Sequence, residues 1–421
     1  MLTDDRPTHP MHIVTRLRFA GTMQRERLDQ ALQAARECHP FFMMQLQNQG
    51  RRCIWIPARQ SVRVQWLTSA PGPVLDHLEL HRYPGLRVYA RLDGGHTELF
   101  LQAHHAVCDG LGLMGFIEDL LLHYARTGSD PAHHPHPVRN PALLSRRHRL
   151  GLSRGQFLRA CFKQGRALYA MLLFLRRPAR PLYHGELLHE SEPERLPAFD
   201  TQRLDSAFSS HLLRSARNLG VTFNDLLLCT LFMVLKLHAQ HEPSASPWTR
   251  LCVPVNFRQS AHRSLPAANL ISLTFLTRRD QDMRCRRNLL QSIHQEMMAI
   301  KRNHEGLTFN LGLGLFRRLG KLKGQCEPSR CRASAVLSNL GILFDQHPLR
   351  DLQGGIKLDN LTLEGIDFVP PIRPHTHLSL GVFTYAGQLH LTYHYDDRIL
   401  NRRHMKQLMD DVMTELKDWL R

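Results

Sequence analysis

Between positions 131 and 185 the chain carries no aspartate or glutamate. It also lacks a Cys-x-x-Cys pair, an internal repeat and any apolar run near the roughly 20 residues of a membrane-spanning helix. The longest apolar candidate, Ala167 to Leu175, is too short. Each absence excludes something. The nine cysteines are scattered, and the closest pair, Cys326 and Cys331, fits no zinc-site spacing. Reduced thiols and a cytoplasmic location are therefore expected. Met1 to Pro10 is polar, without the apolar core of a secretory signal, which points the same way. The net charge of +18 suggests nucleic acid, but the basic stretch has no aromatic residues interleaved on its charged face, which argues against that partner.

What is there is the composition of an ordinary globular protein: 421 residues, 43% hydrophobic and 22% charged. That length predicts two or three domains or one large two-lobed fold. The acid-free stretch holds eleven Arg and Lys residues, so the excess positive charge is local. A local basic stretch predicts an anionic partner: membrane lipid, coenzyme phosphates or an acidic carrier protein.

Periodicity divides the chain further. The first part, 1–130, mixes strand and helix. Strands are expected at Met11–Ala20, Leu86–Leu92 and Glu98–Ala103, and a hairpin at Phe41–Gln47 and Cys53–Ile56. Arg25–Cys38 and Leu111–Tyr124 read as helices. Residues 131–198 form a basic linker. It opens on the run His133-His134-Pro135-His136, read as a solvated loop, and contains one amphipathic helix at Gln156–Leu175. That helix has an apolar face beside Arg159, Lys163 and Arg166, a pattern shared by docked helices and membrane-surface helices. The last part, 199–421, again mixes strands and helices. It has strands at Gln202–Phe208, Arg250–Phe257, Leu270–Leu276, Ala333–Asn339, Lys357–Ile366, His377–Tyr385 and Leu389–Tyr395. Its helices are at Ser209–Asn218, Asn224–His238, Arg284–Asn303 and Arg402–Leu420. Similar composition in the two halves predicts two related lobes.

The segment that carries chemistry is Phe100-Leu101-Gln102-Ala103-His104-His105-Ala106-Val107-Cys108-Asp109-Gly110. An apolar strand runs into two histidines, then an Asp-Gly turn, then a helix. Successive side chains on a strand alternate faces, so His104 and His105 cannot serve one site together. For the same reason they are poor joint metal ligands, and no metal site is expected.

His104-His105-x-x-x-Asp109-Gly110 resembles the HHxxxDG signature of the coenzyme-A-dependent acyltransferase superfamily, the group of chloramphenicol acetyltransferases, condensation domains, wax ester synthases and alcohol acyltransferases. The resemblance extends along most of the chain. His39-Pro40 is similar to an early turn of the group. Val253-Pro254-Val255-Asn256-Phe257-Arg258 is similar to its PVNLR strand, and Ala268-Asn269-Leu270-Ile271-Ser272 to the segment after it. Ser338-Asn339-Leu340-Gly341 resembles an SNLG element, and His394-Tyr395-Asp396-Asp397 the closing strand. The DFGWG motif of the plant enzymes is missing, and no carrier or adenylation module is seen, so the acceptor is open.

The resemblance implies an α/β (α+β) fold of two lobes, like chloramphenicol acetyltransferase, with the active site in a tunnel between them. It implies that His105 is the general base, and that His104, Asp109, Gly110 and Arg258 hold the motif together, with Arg258 paired to Asp109. Asn339, Ser338 and Ser272 are expected along the channel. The implied reaction moves an acyl group from acyl-CoA or an acyl carrier protein to a hydroxyl on a small molecule or lipid, with no bound cofactor and no covalent intermediate. Cys108 occupies a variable position and is not expected to be a nucleophile. Two alternatives stay open: an amide-forming condensation enzyme, and a degenerate docking module of the same fold. The basic linker is expected at the surface, facing an anionic membrane or a carrier protein.

Overall fold

The computed structural model describes residues 2–50, 52–68, 75–128, 135–183, 198–239, 246–321 and 330–420. His133, His134 and Cys326 lie outside the described residues, as does part of the predicted linker. The strands are β1 (His12–Ala20), β2 (Met44–Gln49), β3 (Arg52–Pro57), β4 (Val64–Leu67), β5 (Leu86–Asp93), β6 (His96–His104), β7 (Ala198–Leu204), β8 (Trp248–Asn256), β9 (Ile271–Arg279), β10 (Ala335–Ile342), β11 (Lys357–Leu358), β12 (Leu361–Val369), β13 (Leu378–Tyr385) and β14 (Gln388–Tyr395). The helices are α1 (Arg25–Cys38), α2 (Gly110–Arg126), α3 (Arg154–Phe162), α4 (Gly165–Arg176), α5 (Ser206–Asn218), α6 (Phe223–Ala239), α7 (Arg286–Asn303), α8 (Leu307–Arg318) and α9 (Arg402–Asp418).

Two six-stranded sheets organise the lobes. The first runs β11-β12-β1-β6-β5-β4, and the second β7-β14-β13-β10-β8-β9. In the first, alternation along β1 and β6 sends Ile13, Leu17, Phe19, Leu99, Leu101 and Ala103 into one core with α1 and α2. Helix α1 meets that core through Leu28, Ala31, Leu32 and Ala35, one stripe at helical spacing. In the second, Leu251, Val253, Leu276, Ala335 and Leu337 pack against α6, which is buried over most of its length, and against α7 and α9. The opposite face of this sheet carries Cys252, Phe275 and Val336.

The sheets do not respect the division predicted at 198/199. β11 and β12 come from the C-terminal part, yet β12 pairs antiparallel with β1 from Val14↔Val369 to Ala20↔Thr362 and completes the first sheet. Leu361, Leu363, Ile366 and Phe368 join the first core. Periodicity identifies a strand here, but its partner lies some 350 positions away and leaves no local mark.

Other boundaries shift for local reasons. Residues 205–208, expected to continue a strand, turn into α5, because the Asp205 carboxylate accepts from Phe208 N at 2.8 Å as a helix cap. The single helix expected at 156–175 is two helices. Buried Gln164 sits at the break, donating to Ala160 O (2.7 Å) and Asn303 O (3.1 Å) and accepting from the Thr308 hydroxyl (2.7 Å). The strand expected at 357–366 is a hairpin, turned at Asp359 with φ of 49°. Helix α8 escapes a periodicity reading because Gly312 and Gly314 dilute its pattern.

The basic stretch borrows its acids from elsewhere. Arg139 grips Asp119 with two bonds of 2.7 Å, Arg166 meets Glu305 at 3.1 Å, and Arg180, expected at the surface, is buried with Asp280 at 2.6 Å. Arg147 and Arg177 stack over Phe41 and Trp248.

The lobes touch where Gly381 of β13 faces β12. A β-carbon at Gly381 would overlap the Phe368 carbonyl oxygen and press on the Phe368 ring. Backbone cannot give way as a flexible side chain can. Gly381→Ala is therefore expected to destabilise the protein by about 1–3 kcal/mol. Denaturant unfolding measures this; an unchanged midpoint would mean that the lobe contact is slack.

Candidate active site

The site is built at the end of β6. His104 is the last residue of the strand and His105 the first of the turn. The turn is held by backbone bonds from His104 N to Gly85 O (3.0 Å), His105 N to Met11 O (2.8 Å) and Val107 N to His104 O (2.9 Å).

The two histidines diverge. Fully buried His104 accepts from Ala106 N at its Nδ1 (3.0 Å), so Nε2 carries the proton, 3.1 Å from the Asp5 carboxylate. His77 also reaches Asp5, at 2.8 Å. Burial would raise the Asp5 carboxyl, but its bonds to His104 and His77 outweigh that and hold it well below the usual range. His105 instead meets Asn269 from the other half. The Asn269 amide donates to His105 O at 2.9 Å and lies 3.4 Å from His105 Nδ1. Burial pushes the His105 imidazole down to about 4. The ring is therefore neutral near pH 7 and able to accept a proton.

Asp109 is spent on architecture. Its Oδ1 accepts from Gly112 N (2.8 Å) and caps α2, while Oδ2 accepts from Arg258 Nη1 (2.7 Å) and Leu270 N (2.7 Å). Arg258 also donates to Ala268 O at 2.9 Å. One fully buried carboxylate thus joins the motif turn, α2 and the 258–270 segment. Gly110 and Gly112 are needed for closeness: a β-carbon at Gly110 would come within 2.8 Å of Leu340 and Phe368, and one at Gly112 within 2.8 Å of Ala268 O. Cys108 is buried, and burial raises its thiol well above the usual range, which suits packing and not nucleophilic attack.

His39 supplies a second tie between halves. Its Nδ1 accepts from Ala267 N (2.8 Å), and its Nε2 lies 2.9 Å from Asp119, which Arg139 holds from the other side. Burial lowers the His39 imidazole despite Asp119.

The expected channel residues divide. Leu340 packs on Gly110, so the 338–341 segment does border the motif. Strand alternation puts Ser338 on the face toward the first lobe, opposite Gly381. Asn339 lies on the helix side, where its amide donates to Asn224 at 3.3 Å and its oxygen accepts from Gly341 N at 2.8 Å. Ser272 is buried and donates to Gly306 O at 2.5 Å, tying β9 to the start of α8. Neither Asn339 nor Ser272 shows a hydrogen bond to His105. Sequence reasoning passed over Asn269 as a site residue, although it lies in a matched segment, and passed over Asp5 entirely. Among the described residues one trio, Asp5, His12 and His77, sets potential metal-ligand atoms within 4.8 Å of each other. Both His12 nitrogens are already engaged, with Leu78 N (2.9 Å) and the Gln102 amide (2.8 Å).

No known protein-family model and no curated protein sequence matches the chain. Solved structures do. The first condensation domain of the CDA synthetase matches with a TM-score of 0.69 at 14% identity, covering 99% of this chain and 92% of that one. The starter condensation domain of rhizomide synthetase, solved with C8-CoA and Leu-SNAC, gives 0.71 at 13% over 100% and 91%. The trichothecene 15-O-acetyltransferase TRI3 of Fusarium sporotrichioides gives 0.68 at 12% over 99% and 92%. These neighbours belong to the coenzyme-A-dependent acyltransferase superfamily. The chain has their two-lobed, mixed α/β fold.

Proposed function

We propose that the protein transfers an acyl group from a thioester to a hydroxyl acceptor, with His105 as general base and no acyl-enzyme. The observation that carries this is a buried His105 at the seam between the lobes, its imidazole pushed down by burial, in a turn tied across the seam by the Asp109–Arg258 pair. The imidazole takes the proton of the acceptor hydroxyl, and the oxygen attacks the thioester carbonyl carbon. The tetrahedral intermediate collapses with loss of the sulfur, which leaves as a thiol after taking the proton from the imidazolium. Every proton and electron pair is then accounted for without a second nucleophile. Acyl-CoA and acyl carrier protein both suit as donor. The likeness to condensation domains keeps an amine acceptor as the second reading, since it would use the same base. Keeping His105 and its support intact disfavours a degenerate docking module, which needs no base.

Thiol release from a panel of acyl-CoA thioesters, offered with alcohols and amines and followed by product mass, tests the reading. Ester formation is the expected result; amide formation alone would move the assignment to condensation, and no transfer to any acceptor would end it.

The pH profile follows from the lowered His105. Its neutral fraction falls only as pH drops through about 4, not through the ordinary value of 6.5. kcat/KM is expected to show no His105 limb between pH 6 and pH 8. The same shift acts on stability. Between 6.5 and 4 the unfolded chain binds a proton that the folded one refuses, so His105 makes the fold less stable as pH falls across that window. An acid limb in kcat/KM near 6.5 that His105→Gln removes would show that the ring is not desolvated.

A further inference from the structure

The strongest unexplained feature is an apolar surface with a cavity beneath it. Helices α4 and α8 pack together where Gly312 faces Met171; a β-carbon at Gly312 would come 2.6 Å from Met171 Cε. Among the described residues, their outer faces are exposed. Leu168, Tyr169 and Leu172 of α4 are more than half exposed, as is Leu315 of α8, and Phe162 at the end of α3 is 89% exposed. Isolated exposed leucines mean little, but five large apolar side chains exposed on three neighbouring helices are uncommon on a soluble monomer. Cations frame it: Arg159, Lys163, Arg176, Arg317, Arg318 and Lys321, with no acid in 141–183 or 307–321. Arg166, between them, is already tied to Glu305.

Under the pair lies a cavity of about 390 Å³, a size used for small-molecule sites. Its walls include Ala170 and Phe174 of α4, Phe309 and Leu313 of α8, and Phe275 of β9. Phe275 packs on Phe174 and Phe309, with ring centres 4.6 and 5.5 Å apart. β9 and the residues leading into it link this cavity to the site: Asn269 and Leu270 touch His105 and Asp109, and Leu273 lines the cavity. Four steps of extended chain lead from Asn269 to Leu273, on the order of 13 Å.

We propose that α3, α4 and α8 lie on an anionic bilayer, and that the cavity beneath receives the aliphatic chain of a lipid substrate from that bilayer. The charge selects the surface: an apolar face edged with arginine and lysine, on segments 141–183 and 307–321 that carry no acid, favours anionic headgroups over neutral ones. The cavity gives the contact a purpose, since a chain entering between α4 and α8 would stand one strand length from His105. The fate of that chain rests on the acyl-transfer reading; the membrane contact does not.

Co-sedimentation of the full chain with vesicles of phosphatidylcholine alone, or with added phosphatidylglycerol, tests the contact. Pelleting with the anionic vesicles is expected, weakened by salt. Leu172→Glu with Leu315→Glu should lower the partition coefficient by roughly tenfold or more. Arg159→Glu with Lys163→Glu should lower it for anionic vesicles only. His105→Ala should pellet like the native chain, so loss of acyl transfer and loss of membrane binding are separable. Ala170→Trp, which adds an indole to the cavity wall, should pellet normally but bind the fluorescent fatty acid cis-parinaric acid at least about tenfold more weakly. No pelleting, or pelleting indifferent to the leucines, overturns the membrane contact. Unchanged fatty-acid binding by Ala170→Trp overturns the cavity assignment. Concentration-dependent dimerisation abolished by the leucine changes, without vesicle binding, would give the surface to a second copy of the chain.

Discussion

Alanine at position 105 is expected to reduce kcat/KM by about 10²–10⁴-fold, the usual consequence of losing a positioned general base. The fold should survive, because the turn is held by main-chain bonds at His104, His105 and Val107 and by the Asp109 carboxylate, not by the imidazole. Thiol release beside thermal unfolding separates the two effects. Near-native transfer by His105→Ala would remove the histidine from the mechanism, even with the fold unchanged. His104→Ala should behave differently. It empties a fully buried position and leaves Asp5 with His77 as its remaining histidine partner, so its loss of activity should come with a loss of stability.

Asp109→Ala carries the largest expected loss of stability. The substitution strips the cap from α2, leaves Leu270 N unpaired and strands the Arg258 guanidinium. Removing one partner of a buried ion pair typically destabilises by about 3–5 kcal/mol. Chemical denaturation of the single and double variants measures it. Asp109→Ala with Arg258→Ala should be less destabilised than the two single losses added together, because the stranded cation is gone. Strict additivity would mean that the two side chains do not act as a unit. Activity should fall with the occupancy of the folded state, since no geometry here gives Asp109 a proton to carry.

How much of this was legible in the sequence depends on the distance over which each feature is determined. Helix α1 is a local matter, and its four buried residues stand at the spacing read from the sequence. The divergence of His104 and His105 is equally local, because it follows from strand alternation. The Asp109–Arg258 contact joins positions 149 apart and was reached through the family resemblance, not through periodicity. Asn269 and Asp5 had no such help: an asparagine in a matched segment and an aspartate in a polar N-terminal stretch look like many others until the fold places them beside His105 and His104. Asn339 shows how far a motif reaches. A matched motif brought its segment to the site, while the alternation of β10 turned its side chain toward Asn224. The break between α3 and α4 was hidden because what marks it is Gln164, whose partners Asn303 and Thr308 lie in the other half.

The strand that crosses between lobes has a consequence for how the chain is made. β1 and β6 leave the ribosome early, but the neighbour that covers the free edge of β1 is β12, about 260 residues after the end of β6. At roughly 5–20 residues per second, that edge waits on the order of 10–50 seconds during translation. Throughout that interval it presents an open row of amide and carbonyl groups to any passing strand. A nascent chain of this design gains from a holding chaperone, and a gene fragment ending near residue 198 would encode a lobe with its seam left unsewn.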